Sequence, residues 1–540
     1  MMIKCLEVFN GFTTNLSTTK VPPYGIQSGN NTMNARVKYN VWFILPLCGL
    51  LAPPRVSLAA ENSGLWGRSG EQWTPQSRLP DFSFAGYHCG DAPLPTLPPG
   101  VSVKDFGAKG DGVTDDTQAF LDALAKANTG AIEIPPGRYK ITKILQITRP
   151  GLVLRGAGAD RTFLFFPAPL NEIQPKWSAT TDGKRTSDYS WAGGLVWFKG
   201  AERGQPLATV TAPANRGDSS LQVSSTNLFK PGQRIQIFQT DAPDKSLTAE
   251  LYSGDPGNTD KMGRVRISLV TRVTRLEAGA VRFDRPLRWD VRPAWQPRIN
   301  SFAPSVTESG VENLCFDFPN TPYLGHFTEV GYNDVAINNA ADCWVRDIRI
   351  VNSDSGLFPG GHFCTIQGVI FQSARQPEKE RGATGHHGVN FEGDDNFLCD
   401  FDFQAKFMHD ITVDHQCAGN VSAHGKGVDL CFDHHKDAPY ENLFTDIDIG
   451  LGTRPWQCGG GADLGKNTGT RATFWNIRAR KPISYPPSAF GPPSMNLVGL
   501  QTDKPSVKQP AGKWFEAIPP EALSPPDLHA AQLARRLAGP

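Results

Sequence analysis

The chain is poor in the features that would mark a membrane protein, a nucleic-acid binder or a zinc module. Its strongest apolar run, residues 41–52 (VWFILPLCGLLA), is 12 residues long. A spanning helix needs roughly 20, so this run is too short to cross a membrane as a helix and a polytopic helical membrane protein is not expected. Net charge is almost absent, with 54 Lys+Arg against 53 Asp+Glu, which leaves no global field to hold a polyanion and excludes nucleic acid as an expected partner. None of the ten cysteines forms a Cys-x-x-Cys pair, so neither a zinc site nor a dithiol motif is indicated. No Gly-x-Ser-x-Gly elbow supports Ser-His-Asp catalysis. Gly459-Gly460-Gly461 has no lysine-bearing helix after it and reads as a close-approach turn, not a phosphate loop. Methionine is scarce, at 6, and helix-forming windows are few.

What is present is core material and turns. Hydrophobic residues make up 39% and aromatics 10%, with 54 Gly and 44 Pro, the composition of a folded, turn-rich chain with much β-structure. The run at 41–52 has the shape of a signal-peptide core. Arg36 and Lys38 form a basic region before it, and Ser57-Leu58-Ala59-Ala60 supplies a small-residue cleavage site near Ala59/Ala60. Met33 is the natural start for such a signal, and the expectation is a secreted or periplasmic protein. Removing residues 1–60 leaves eight cysteines, an even number that permits disulfides in an exported chain. Cys315 and Cys399 lie in apolar strand-like runs, where stacked, buried thiols fit equally well.

From Val101 onward short strands are broken by Gly, Asn and Asp: AIEIP (131–135), LVLRG (152–156), VENLCFDF (311–318), CWVRDIRIVN (343–352), TIQGVIF (365–371), HDITVD (409–414) and FWNIRA (474–479). Several alternate apolar with polar residues, as a strand with one buried face does. Their recurrence points to stacked coils, which bury a core only by stacking and so form one cooperative unit. Residues 117–127 (TQAFLDALAKA) predict a helix, with Asp115 and Asp116 as caps, and residues 527–537 predict a second. Residues 170–300 break the rhythm and read as an inserted β-subdomain. Trp177, Trp191, Trp197, Trp289 and Trp295 fall there; core packing is the expectation for each, and an exposed one would suit a sugar ring.

The succession DFGAKGDGVTDDTQAF (105–120), IPPGRY (134–139) and VLRGAG (153–158) resembles the amino-terminal coils of the pectate-lyase-like superfamily. These are right-handed parallel β-helices that include polygalacturonases, rhamnogalacturonases and some phage tailspikes. FSFAGYHCGDAPLP (82–95), HFTEVGYNDVAI (326–337) and GKGVDLCFDHH (425–435) resemble a less familiar bacterial branch. The resemblance implies an all-β, single-stranded right-handed parallel β-helix and an exported carbohydrate-active protein. The expected organisation is a leader at 1–60, an extension at 61–100, first coils with a capping helix at 101–169, the insert at 170–300, the main β-helix at 301–500 and a tail at 501–540.

Seven of the eleven histidines lie between 386 and 435. His362, His387, His409 and His434 are separated by 25, 22 and 25 residues, which would stack them on one side of a solenoid of similar coil length. Asp394, Asp395, Asp410, Asp414, Asp429, Asp433 and Lys426 lie among them. Any one such residue at a coil corner ordinarily satisfies turn backbone groups, whereas the whole set predicts an active-site groove. Three chemistries compete. β-Elimination on a uronate polysaccharide needs a base for the C5 proton and a cation for the carboxylate, with His387, His409 or Lys426 as base. Ca²⁺ would follow from an all-oxygen ligand set. Hydrolysis needs two carboxyls about 5–5.5 Å or about 6.5–9.5 Å apart; NSDSG (352–356), GDD (393–395) and HGKG (424–427) echo the polygalacturonase layout loosely. Glycan binding by aromatics needs no titrating cluster. A lyase is placed ahead of a hydrolase. The candidate catalytic residues are His386, His387, Asp394, Asp395, His409, His424, Lys426, Asp433 and His434; His326, Glu329, Asn333 and Asp354 are candidate substrate contacts. An acidic polysaccharide is the expected partner and a monomer the expected state.

Overall fold

The computed structural model describes residues 59–180, 182–502 and 514–539. The apolar run at 41–52, with Met33, Arg36 and Lys38, lies outside the described residues.

The period-2 segments form parallel strands that pair with the next coil, giving a single-stranded right-handed parallel β-helix with three ladders, the hand that parallel crossovers take. One ladder stacks Ile132, Leu154, Val311, Val345, Ile366, Leu398, Ser422, Phe444, Phe474, Leu497 and Phe515 in register. All of them are buried. A second stacks Tyr139, Leu164, Phe316, Ile350, Phe371 and Phe403, and a third Leu145, Val196, Val335, Leu357, Val389, Ile411 and Phe432. Alternate side chains point inward, so each coil covers the apolar rim of its neighbour and one core runs from Val103 to Phe515. At one corner Asn396, Asn420 and Asn442 form an amide ladder. Asn420 Oδ1 accepts the Asn396 backbone N–H at 2.9 Å, and Asn442 Oδ1 accepts that of Asn420 at 3.0 Å.

The helix Thr117–Lys126 buries Phe120, Ala123 and Leu124 in the same core. The expected caps differ in part. Asp115 accepts the Thr117 N–H, but Asp116 makes no cap bond and instead accepts from the backbone of Lys109 and Gly110, tying down the preceding glycine turn. The second helix, Leu528–Ala538, is capped by Asp527 and sets Leu528 against Val421, Leu443, Trp475 and Val498 on the outer side of the first ladder.

Within 170–300, Val196–Lys199 is a solenoid strand paired with Leu145–Ile147 and Asn333–Ala341. The antiparallel subdomain follows it. Its strands include Pro206–Thr209, Arg234–Thr240, Arg266–Glu277 and Arg298–Ser301, around a core with Trp289 and Trp295 that reaches Ala418 and Tyr440 of the solenoid. The eight cysteines among the described residues are all unpaired. No helix of the described residues is long and apolar enough to cross a membrane.

Candidate functional site

Strands Gly385–Phe391 and Phe407–Val413 are parallel neighbours with His387 directly opposite His409, so the two imidazoles stack with centroids 5.0 Å apart. The next strand, Phe432–His434, pairs Thr412 with Asp433 and Val413 with His434. Alternation then separates the three consecutive residues. His434 turns inward among the rings of Phe444, Phe474 and Phe490, while Asp433 and His435 lie on the other face beside His409 and His387. His326 arrives from an earlier loop, stacked on Phe327, and its Nε2 lies 2.8 Å from His386 Nε2.

His326, His386, His387 and His435 line a cavity of about 600 Å³ together with Trp191, Glu392, Asp414, His415 and the Gly459 turn, and Asp433 and His409 stand behind them. The hydrogen bonds set the protonation of the central pair. Asp433, fully buried, accepts from Gly459 N–H at 2.7 Å, from the Thr412 hydroxyl at 3.2 Å and from His435 Nδ1 at 2.7 Å. The Thr412 hydroxyl has one proton, given to Asp433, so its oxygen accepts from His387 Nδ1 at 3.1 Å. This assigns the Nδ1–H tautomer to His387 and leaves its Nε2 lone pair free.

Burial opposes charge on His435, but Asp433 outweighs it and lifts the imidazole to about 9. Burial would raise Asp433, yet His409 and His435 hold its carboxyl well below the usual range. Burial drives His386 and His387 well below the ordinary imidazole value and, although Asp433 pulls His409 upward, leaves it at about 3; His326 falls to about 4 for the same reason. A protonated imidazole therefore stands 5.7 Å, centroid to centroid, from a neutral one. Behind them Tyr323 donates to Glu329 at 2.5 Å, and Glu329 Oε1 lies 3.7 Å from His386 Nδ1. Burial raises Glu329 to about 7.

Other candidates lie elsewhere. Asp395 is clamped by Arg285 at 2.6 and 2.7 Å and by Arg288, which fastens the antiparallel subdomain to the solenoid. Asp394 accepts from Ala418 N–H at 2.9 Å and Ser268 Oγ at 3.1 Å. Neither lines the cavity, so the expected carboxyl pair is spent on packing. His424 and Lys426 belong to a strand of the first ladder and border a separate cavity of about 570 Å³. There His424 bridges Asp446 at 2.9 Å and Asp527 at 2.8 Å, which raise it to about 10. Asn333 donates to the carbonyls of Tyr189 and Ala192. Asp354 accepts three backbone N–H groups of residues 330–332 and pairs with Arg375 at 2.9 Å. Both organise loops near the cavity without lining it. His362 is also apart, 4.0 Å from Asp394.

The equal histidine spacing misleads because coil length varies: Leu357 pairs with Val389, Val389 with Ile411 and Ile411 with Phe432, steps of 32, 22 and 21 residues. Only the step from 387 to 409 matches its coil. Thr412, Tyr323 and Glu392 carried no signal in the sequence. His435 did: it shares a face with Asp433 by alternation, and its neighbour His434 does not. Gly459 is the close-approach turn expected, since a Cβ there would run into the His435 ring.

Among the described residues, three groups of side chains bring candidate metal ligands together: His326, His386 and His409; His409, Asp433 and His435; and His88, Glu308 and Asp342. Each contains imidazole nitrogen, unlike the all-oxygen cage that Ca²⁺ prefers.

Residues 100–168 match the family model described as rhamnogalacturonase A/epimerase, pectate lyase-like. Alginate lyase 7 of Azotobacter vinelandii is 35% identical over 97 residues, covering 16% of this chain and 11% of that protein. Mannuronan C5-epimerase AlgE6 of the same organism is 32% identical over 131 residues, 20% of this chain and 15% of that one. The chain thus spans a small part of the length of these curated relatives. Among solved structures, the tailspike protein gp49 of Pseudomonas phage LKA1 aligns over 74% of this chain and 72% of its own, at 13% identity and a TM-score of 0.41.

Proposed function

Starting from a pectate-lyase-like parallel β-helix, we propose that this protein is a polysaccharide lyase that cleaves a uronate-containing glycan by β-elimination. The observation that carries the reading is the pairing of His387, with a free Nε2, and His435, protonated against Asp433, on one cavity wall. The proton on C5 of a uronate is acidified by the adjacent carboxylate only when that group's charge is met by a cation or strong donor. His435 supplies the cation, and Asp433, buried and ionised, keeps it charged. His387 Nε2 takes the C5 proton. The released electron pair forms the C4=C5 double bond, the C4–O bond breaks, and the leaving oxygen takes a proton from solvent in the open cavity. Trp191 on the same wall offers a face for a sugar ring.

The names of two relatives, an alginate lyase and a mannuronan C5-epimerase, support chemistry at this carbon. Asp394 and Asp395, the carboxyls a hydrolase would have used, are engaged in packing contacts, which weighs against that alternative. The test follows absorbance near 235 nm and reducing ends together on alginate and polygalacturonate. Both rising is expected. Reducing ends alone would indicate a hydrolase, C5 inversion without cleavage by proton NMR an epimerase, and binding without change a lectin-like role. Export belongs to the same reading, and amino-terminal sequencing of protein recovered outside the cytoplasm should begin near Ala60.

A further inference from the structure

We infer that His326, His386 and His409 form a binding site for a divalent transition-metal ion of the Zn²⁺ class, at the seam where two cavities meet. One nitrogen from each imidazole lies within 4.8 Å of the others. His326 borders both the 600 Å³ cavity and a neighbouring one of about 560 Å³, so an ion held there keeps an open coordination position toward solvent or substrate.

Two independent observations point to a ligand. His409 is 1% exposed, yet neither of its ring nitrogens has a hydrogen-bond partner. Its Nδ1 lies 3.2 Å from Asp433 Oδ2 without the alignment of a bond. A buried imidazole so placed bears the desolvation cost of both nitrogens, a cost that a cation on either of them would offset. Secondly, His326 and His386 share a 2.8 Å Nε2···Nε2 hydrogen bond, which sets side by side the two nitrogens that an ion would take in place of the shared proton. Behind His386 stands a buried carboxylate, Glu329, whose Oε2 is unpartnered and whose Oε1 lies 3.7 Å from Nδ1. A carboxylate behind the far nitrogen of a ligating histidine is the usual second support of such a ligand, since it orients the ring and turns the other nitrogen's lone pair outward.

Nitrogen-only donors select Zn²⁺, Co²⁺, Ni²⁺ or Cu²⁺ over Ca²⁺ or Mg²⁺. With metal–nitrogen bonds of about 2.0–2.1 Å, tetrahedral ligands stand about 3.3 Å apart. The 2.8 Å between His326 and His386 must therefore open slightly, which a ring on a loop can do. The site stands on these nitrogens and not on the lyase reading. If both hold, the ion would meet the uronate carboxylate beside His435.

The test uses the full chain, stripped with a chelator and titrated with Co²⁺. About one equivalent should bind with the visible absorption of four-coordinate cobalt, be displaced by Zn²⁺ and resist excess Ca²⁺. His326→Gln, at the half-buried position least needed for folding, and His409→Ala should abolish the spectrum. Glu329→Gln should weaken binding about 10–100-fold. His387→Ala should leave it intact. No binding to the wild type, or an unchanged spectrum in His326→Gln and His409→Ala, would overturn the site. A protein that cleaves glycan but binds no cobalt loses only this inference; one that binds cobalt but leaves every glycan intact loses only the lyase.

Discussion

At the scale of single residues, the hydroxyl of Thr412 does as much as any ionisable group. It has one proton and two neighbours, and by giving that proton to Asp433 it obliges His387 to present a bare nitrogen to the cavity. Removing the imidazole in His387→Ala should cut turnover about 10²–10⁴-fold, the range for a general base, with an unchanged melting temperature as the control for folding. Thr412→Val keeps the volume and removes the relay, so it should lower kcat more than KM, and Thr412→Ser should restore most of the loss. Gly459 belongs to the same group. A Cβ at this position would collide with the His435 ring and stand 3.0 Å from His409. Gly459→Ala should therefore displace the donor to Asp433 and depress activity, read by the 235 nm assay, without abolishing folding.

At the scale of elements, the corner ladder of Asn396, Asn420 and Asn442 replaces hydrogen bonds that the strands cannot make where the chain turns. Asn420→Ala leaves the buried Asn396 N–H without its acceptor, and should cost about 1–3 kcal/mol, measured by denaturant unfolding. The carboxy-terminal helix depends on charge at its entry. Asp527 caps it and also meets His424, which Asp446 holds from the other side. The folded-state pKa of His424 is raised to about 10, above its unfolded value of about 6.5. Its contribution is therefore fully present below about pH 6.5 and is lost as pH rises through about 10. Amide protection factors over Leu528–Ala538 should fall across that window, and His424→Ala should flatten the dependence. Since His424 is 42% exposed, solvent screens the pair and the change should be local.

At the scale of the molecule, the ladders join the coils into one core, so stability is shared along the axis. Phe444→Ala, in the middle of a stacked column, should cost about 3–5 kcal/mol and lower the melting temperature of the whole solenoid. Strand existence, solenoid architecture and the richness of one region in imidazole and carboxylate were legible from local pattern, because period-2 alternation and turn residues act over a few positions. The assignment of side chains to faces was not. A loop lengthens the coil from Leu357 to Val389 to 32 residues, so evenly spaced histidines do not stack, and a one-residue step turns His434 into the core while His435 lines the cavity with Asp433 behind it. His424 and Lys426 are close in sequence to the cluster but sit on another ladder, while His326 reaches His386 across 60 positions. By itself, then, the sequence determined a β-helix with a titratable segment, because strand periodicity is local. Which of those groups share a cavity was decided only by coil lengths and ladder register, which depend on every loop between them.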